Sequence, residues 1–358
     1  MSGSGATMLA LVYHGPEDLR VERRAAPEIG PGEVLVKVEA ASICATDLRI
    51  VAGAHRKFAP GVVRIPGHEV AGVVAGIGRD VRGLEVGQRV FVAPNFGCGK
   101  CLPCAGGRNN LCPGTEALGI TLDGAFAEYV RIPAAAVEQD NVIPLAAHVS
   151  TEVAALAEPL ACVLHGQKAI AIGAGDKVVI LGAGPIGMIH LLLAKSRGAR
   201  KVIVSDPVRE RLELARAFGA DRTVNPESED LERAVRDETS DEGASAVIVA
   251  TPAAQAFEQA LEIAGVGGRI NLFAGLPRDR SVVPLNCNLI HYKELLVTGT
   301  TACSTSDCRN AIELVAAGLI DLSPLVSGRY PLTASREAFD TARDRRGLKV
   351  LFEPGIGG

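Results

Sequence analysis

Val178-Val179-Ile180-Leu181-Gly182-Ala183-Gly184-Pro185-Ile186-Gly187 is the stretch that decides the fold. Its first four residues are β-branched or apolar, which reads as a short strand buried on both faces. An apolar helical pattern follows from Met188 to Lys195, and Gly198 ends it. Val202-Ile203-Val204 reads as a second buried strand, with Asp206 at its end, 24 residues after Gly182. Strand, glycine turn, helix, strand and acid in that order form the fingerprint of a bound dinucleotide. Gly182 allows the tight turn, Gly184 lets the backbone approach a pyrophosphate, and Gly187 lets the helix pack against the strand. Pro185 and Ile186 complete the turn, where the free N–H groups of the helix start face the phosphates. Asp206 can accept hydrogen bonds from a ribose and would repel a 2′-phosphate, which favours NAD over NADP. Arg209 and Arg211, close by in sequence, pull the other way.

The alternation continues downstream. Helical patterns cover Arg209 to Phe218, Leu231 to Asp237 and a stretch ending at Ala264. Strand patterns lie near Thr223-Val224, Ala246 to Val249, Gly268 to Phe273 and Leu295 to Thr300. Such alternation predicts an α/β, doubly wound parallel sheet, with ligands beyond the C-terminal strand ends. Thr251 falls where the adenosine side of a cofactor would run, and Ala274, Gly275 and Thr300 become candidate nicotinamide contacts.

The chain has 358 residues, enough for two domains. A net charge of −4 presents no basic face to nucleic acid. No apolar run approaches the roughly 20 residues of a membrane span. The first seven residues lack a signal-peptide pattern and read as a flexible tail. Nine cysteines in this distribution suggest metal ligation in a reducing compartment, hence a cytoplasmic protein.

From Leu9 to about Val149 short alternating strands predominate, split by Pro-Gly and Gly turns. Val34 to Glu39 is the clearest of them, and the whole reads as a partly open antiparallel β-barrel. Cys98, Cys101, Cys104 and Cys112 form Cys-x2-Cys-x2-Cys-x7-Cys, four thiolates able to surround one tetrahedral ion in a closed, structural site. Cys44 and His68 remain for a second, open site, with Glu69 or Glu158 as its acid. Glu158 lies in an apolar segment, where an ionised carboxylate is costly unless paired or on a metal. Cys162, Cys287, Cys303 and Cys308 lack ligand spacing and read as ordinary core or loop residues.

In order, Cys44, Gly67-His68-Glu69, the four-cysteine loop, Glu158-Pro159 and the glycine turn resemble the zinc-dependent medium-chain dehydrogenases. Glu158-Pro159-Leu160 is similar to the sorbitol (L-iditol) dehydrogenase branch, and L-threonine and galactitol-phosphate dehydrogenases look similar at many of these positions. The resemblance implies a GroES-like, partly open β-barrel catalytic domain (1–157 and 298–358) and a Rossmann domain (158–297), with substrate, zinc and nicotinamide meeting in the cleft between them. It implies two zinc ions per chain. The catalytic one is held by Cys44, His68 and Glu69 or Glu158, and the structural one by the four-cysteine loop. It also implies a homo-oligomer, dimer or tetramer. Two departures stand out: Ala45 replaces a common glycine, and Arg49 stands where alcohol dehydrogenases often carry a proton-passing histidine.

These features lead to an expected activity. Zinc favours the alkoxide of a secondary alcohol, which passes hydride to NAD, while Thr46 takes the alcohol's proton. The expected substrate is a small polyol or sugar-like molecule. The alternatives are L-threonine, a sugar-alcohol phosphate, or a non-catalytic NAD-sensing role on the same fold.

Overall fold

Val178 to Leu181 are each at most 3% exposed, as a strand covered on both faces must be. The strand Lys177–Leu181 lies at the centre of a six-stranded parallel sheet. Its order is Arg222–Val224, Lys201–Ser205, Lys177–Leu181, Ala244–Val249, Ala264–Leu272, Leu296–Gly299. Chain order reverses beside Lys177–Leu181, so the sheet is doubly wound, as the alternation predicts. The helix after the glycine turn is Pro185–Ser196, starting three residues ahead of Met188 because Pro185 suits the first helical position. Gly198 follows at φ +79°, the left-handed stop expected there.

The computed structural model describes residues 6–344 and 347–355. It divides into two units, Cys162–Ala302, which carries this sheet, and Met1–Ala161 with Cys303–Gly358. The division falls within one helix, Ala157–Ala169, which the sequence pattern did not reveal. Of the expected N-terminal tail, residues 1–5 lie outside the described residues. Ala6 and Thr7 are not tail: the Ala6 carbonyl accepts from the Ala26 N–H at 2.8 Å, and Thr7 opens the strand Thr7–Gly15.

The first unit is built on a mainly antiparallel sheet in the order Val326–Tyr330, Lys349–Phe352, Val34–Ser42, Glu69–Ile77, Arg89–Val92, Val142–Pro144. Tyr129–Ile132 pairs with the start of Val34–Ser42. Val34, Val36 and Val38 are buried while Lys37 and Glu39 face out, the period-2 pattern that sets a strand's register. Phe126, Phe339 and Phe352 meet edge-on or tilted in the core. Both strands from the far end of the chain, Val326–Tyr330 and Lys349–Phe352, belong to this sheet, so the unit is discontinuous in sequence.

One buried group in the dinucleotide unit makes its stability depend on pH. His190, on the helix Pro185–Ser196, is fully buried with its ring 4.7 Å from Phe273, edge to face. The Gln167 amide donates to its carbonyl at 2.8 Å, and its Nε2 has no partner. Burial, with the Arg197 charge behind it, pushes its pKa down to about 3. The folded pKa lies below the unfolded value of about 6.5, so neutral His190 stabilises the fold above pH 6.5, and that stability is lost as pH falls toward 3. His190→Leu should therefore flatten the stability profile between pH 7 and 5 by about 1–2 kcal/mol, measured by denaturant unfolding. An unchanged acid slope would contradict this account.

Candidate active site

Cys44 sits between the strand Val34–Ser42 and the short helix Ala45–Val51, and caps that helix. His68 and Glu69 stand at the start of the strand Glu69–Ile77, where Ser42 pairs with Glu69. Gly67 holds φ +96°, and the Phe126 ring lies 2.5 Å from where a Cβ would stand. Any side chain at position 67 would move His68. Through these constraints one ligand atom each of Cys44, His68 and Glu69 comes within 4.8 Å of the others.

The surroundings of this trio fit a cation. His68 and Glu69 are 5% and 0% exposed. Lys349 Nζ donates to Glu69 Oε2 at 2.5 Å and to the Ile43 carbonyl at 3.2 Å. Glu69 Oε1 is buried with no hydrogen-bond partner, an expensive state unless a further group binds there. Asp47 is also fully buried; its Oδ2 accepts from the Cys44 N–H at 2.9 Å, and its Oδ1 lies 3.5 Å from His68 Nδ1. A carboxylate behind an imidazole fixes the ring so that its other nitrogen faces a metal. Burial pulls the His68 pKa down, but Asp47 and then Cys44 outweigh it and hold it well above the ordinary value. Burial likewise pulls on Lys349, and Glu69 and Cys44 more than offset it.

Glu158 is not gathered with this trio, although its charge, after those of Glu69 and Cys44, helps to raise the Lys349 pKa. It lies on the helix Ala157–Ala169, 7% exposed, with its Oε1 4.0 Å from Cys303 Sγ. Of the two candidate acids, Glu69 is the one gathered with Cys44 and His68. Cys303 and Cys308 are core residues, as expected, and they also meet: their sulfurs are 3.6 Å apart. They flank Ser304 and Asp307, the capping box of the helix Thr305–Ala316, and occupy the positions where an apolar pair fastens a helix start. That signal was present in the sequence as Cys-Ser-x-x-Asp-Cys. Thr46 lies beside Cys44, its hydroxyl accepting from Arg49 at 3.2 Å.

Sulfur atoms of Cys98, Cys101, Cys104 and Cys112 also gather within 4.8 Å. Cys112 Sγ accepts from the Cys98 N–H at 3.3 Å. The backbone N–H groups of Lys100 and Cys101 draw the Cys98 thiol down to about 6. Cys101 is pushed up to about 12, the N–H of Cys104 being outweighed by burial and by the other three thiols. Several thiols competing to ionise in one place is what a divalent cation would relieve. Among the described residues no carboxylate joins this group, so it is a closed four-sulfur set.

In the dinucleotide unit, Gly182 has φ +110°, and a Cβ on Gly187 would stand 1.8 Å from the Gly182 carbonyl oxygen. Asp206 is 5% exposed and braces this turn: Oδ2 accepts from the Ala183 N–H at 2.7 Å and Oδ1 from the Val208 N–H at 2.9 Å. This bracing was not read from the sequence, where Asp206 had only a ribose to bind. Arg211 lies 3.9 Å from Asp206 and close above Gly184. Pro185 and Ile186 form the first turn of the helix, and Thr251 lies against Gly182. The Ala274 N–H donates to the Val249 carbonyl at 2.9 Å, and Thr300 Oγ1 donates to Asn271 at 3.2 Å. These two residues follow neighbouring strand ends.

Known proteins match this arrangement along the chain. The alcohol dehydrogenase GroES-like domain family matches residues 30–144, and the zinc-binding dehydrogenase family matches residues 185–317. An L-threonine 3-dehydrogenase from Pyrococcus horikoshii is 38% identical over 91% of this chain and 92% of its own length. One from Bacillus subtilis is 35% identical over 92% and 93%. The crystal structure of a zinc-binding dehydrogenase from Sinorhizobium meliloti 1021, bound to NADP, superposes with a TM-score of 0.90 at 33% identity, covering 98% of this chain and all of that one. With both domain families in sequence order and such relatives along nine-tenths of its length, the chain belongs to the zinc-dependent medium-chain alcohol dehydrogenases, oxidoreductases that act on alcohol groups with zinc and a nicotinamide dinucleotide.

Proposed function

We propose that the protein oxidises the secondary alcohol of a small β-hydroxy acid, L-threonine first, to the ketone with NAD as hydride acceptor. The convergence of Cys44, His68 and Glu69 carries the metal-dependent part of this reading. The relatives carry the substrate: their names favour the threonine alternative over the polyol expected from Glu158-Pro159.

Cys44, His68 and Glu69 would hold the catalytic zinc, with Glu69 using the oxygen that Lys349 leaves open. Bound there, zinc supplies the Lewis acidity that makes an alcohol easier to deprotonate, and the nicotinamide supplies the hydride acceptor. The C–H electron pair of the substrate leaves as hydride while the O–H proton passes through Thr46, so each ketone formed reduces one NAD. Arg49 cannot take that proton onward, being always charged, so it must leave to solvent or the coenzyme. Asp47 orients His68. Glu158, with its Oε1 4.0 Å from Cys303 Sγ, adds negative charge near Lys349. The buried Asp206 carboxylate, still with lone pairs to offer a ribose, supports NAD over NADP.

Purified enzyme should reduce NAD with L-threonine faster than with neutral polyols, followed by NADH absorbance; a better polyol would return the substrate to the first expectation. Asp47→Asn should cost about 10–100-fold in metal affinity or activity while NADH binding persists. An unaffected Asp47→Asn enzyme would remove His68 from the metal.

We infer a structural role for the four-cysteine loop. Cys101→Ser should lower the thermal midpoint while the enzyme that remains folded keeps turning over; an unchanged midpoint would refute that role. A homo-oligomer is also proposed. The strand Leu296–Gly299 is an edge of its sheet, and Leu296, Tyr292 and Val282 in the same unit are 51%, 77% and 91% exposed. Edges and apolar surface of this kind favour pairing with a second copy. Light scattering after size exclusion should return a multiple of 37.2 kDa, and a monomeric mass would sink the idea.

A further inference from the structure

Arg49 is the departure for which the proposed reaction gives no use. It stands on the helix Ala45–Val51, and its guanidinium donates to Thr46 Oγ1 at 3.2 Å. Thr46 is two residues from Cys44, so the guanidinium lies against the hydroxyl that handles the substrate's proton. Arg56 and Lys57 follow in the next turn, both exposed. Among the described residues none of these three cations forms an ion pair with a carboxylate. Asp47, the acid nearest in sequence, is fully buried and turned to His68 and the Cys44 backbone. The chain as a whole is acidic, at −4, so unpaired cations are not its general habit.

His55 belongs to the same cluster. Burial, then Arg49, Arg56 and His68, lower its pKa. Its Nδ1 accepts from the Lys57 N–H at 3.3 Å, which leaves the Nε2 proton to donate. The ring packs edge-on to Phe58, at 5.8 Å, which steadies the turn. The cluster therefore offers positive charge together with N–H donors. A guanidinium with unspent N–H groups is suited to a planar carboxylate or a phosphate, which it can grip with two parallel bonds.

We propose that Arg49, backed by Arg56 and Lys57, selects substrates that carry an anionic group, carboxylate or phosphate, a few bonds from the reacting alcohol. This rests on the proposed dehydrogenase reading but is independent of which anionic substrate is the natural one. Arg49 is then a specificity-determining residue for the reaction. An exposed charge-assisted contact of this kind should be worth about 10–100-fold in discrimination.

The test is steady-state kinetics of the zinc- and NAD-supplied full chain on two matched pairs. One is L-threonine against L-threoninamide, identical except for the charge. The other is galactitol 1-phosphate against galactitol. Wild-type enzyme should prefer the anion in at least one pair by about 10-fold or more in kcat/KM. Arg49→Gln should bring that ratio to within a few-fold of unity, and Arg49→Lys should restore part of it. Zinc per chain and NADH fluorescence titration verify that both variants are loaded. If the phosphate pair responds and the threonine pair does not, the proposed substrate fails and this inference stands. If threonine is turned over but Arg49→Gln keeps the wild-type ratio, the inference fails and the proposed substrate stands. A wild-type preference for neutral substrates, or an Arg49→Gln effect confined to the KM for NAD, would also overturn it.

Discussion

A carboxylate with no water around it sets the terms for the first unit. Glu69 is completely buried, and removing an ion from water costs several kcal/mol unless the protein replaces what water gave. Lys349 replaces half of it, from a strand that pairs with the end of Val34–Ser42. Ser42 in turn pairs with Glu69, so three neighbouring strands meet at this one ion pair. Much else follows from that junction. The strand ends must stay in register, Gly67 must remain bare beneath Phe126, and Cys44 must leave its strand at Ser42 to reach the same place. Among the described residues the second oxygen of Glu69 has no hydrogen-bond partner, which is what this junction leaves open.

The sequence was most legible where chemistry is local. The glycine turn, its strands and helices, and the four-cysteine loop each lie within about thirty residues, and their spacing carries their geometry. The choice between Glu69 and Glu158 was not local. Their contacts lie far off in the chain: Lys349 is 280 residues from Glu69, and Cys303 is 145 residues from Glu158. Nothing in composition or periodicity relates such positions. The bracing role of Asp206 was hidden for another reason. An acid at that point in the fingerprint already has a use, so the pattern gives no sign that it also holds the turn through two backbone N–H groups. The Cys303–Cys308 contact is legible in the sequence, since the Ser304–Asp307 capping box lies between the two cysteines and sets their spacing.

The two sulfur-bearing sites differ in how they manage charge. In the four-cysteine loop the backbone N–H groups of Lys100 and Cys101, helped by the neighbouring thiols, favour the first thiolate. Around Cys44 the balance is made with side chains: Lys349 opposes Glu69 and Cys44, and Asp47 opposes His68. A loop of the first kind can be complete within fifteen consecutive residues, Cys98 to Cys112. A site of the second kind needs the whole unit assembled around it.

That last difference matters on the ribosome. Lys349 emerges 280 residues after Glu69, an interval of about 15–60 s at ordinary rates of synthesis. Throughout it Glu69 has no counter-ion, while the intervening unit, Cys162–Ala302, is contiguous and free to fold as it appears. The nascent chain would therefore complete the unit that carries the glycine turn before the Glu69–Lys349 pair could form. Until Lys349 is made, Glu69 has no charge to meet and the strand ending at Ser42 lacks the partner that Lys349–Phe352 supplies.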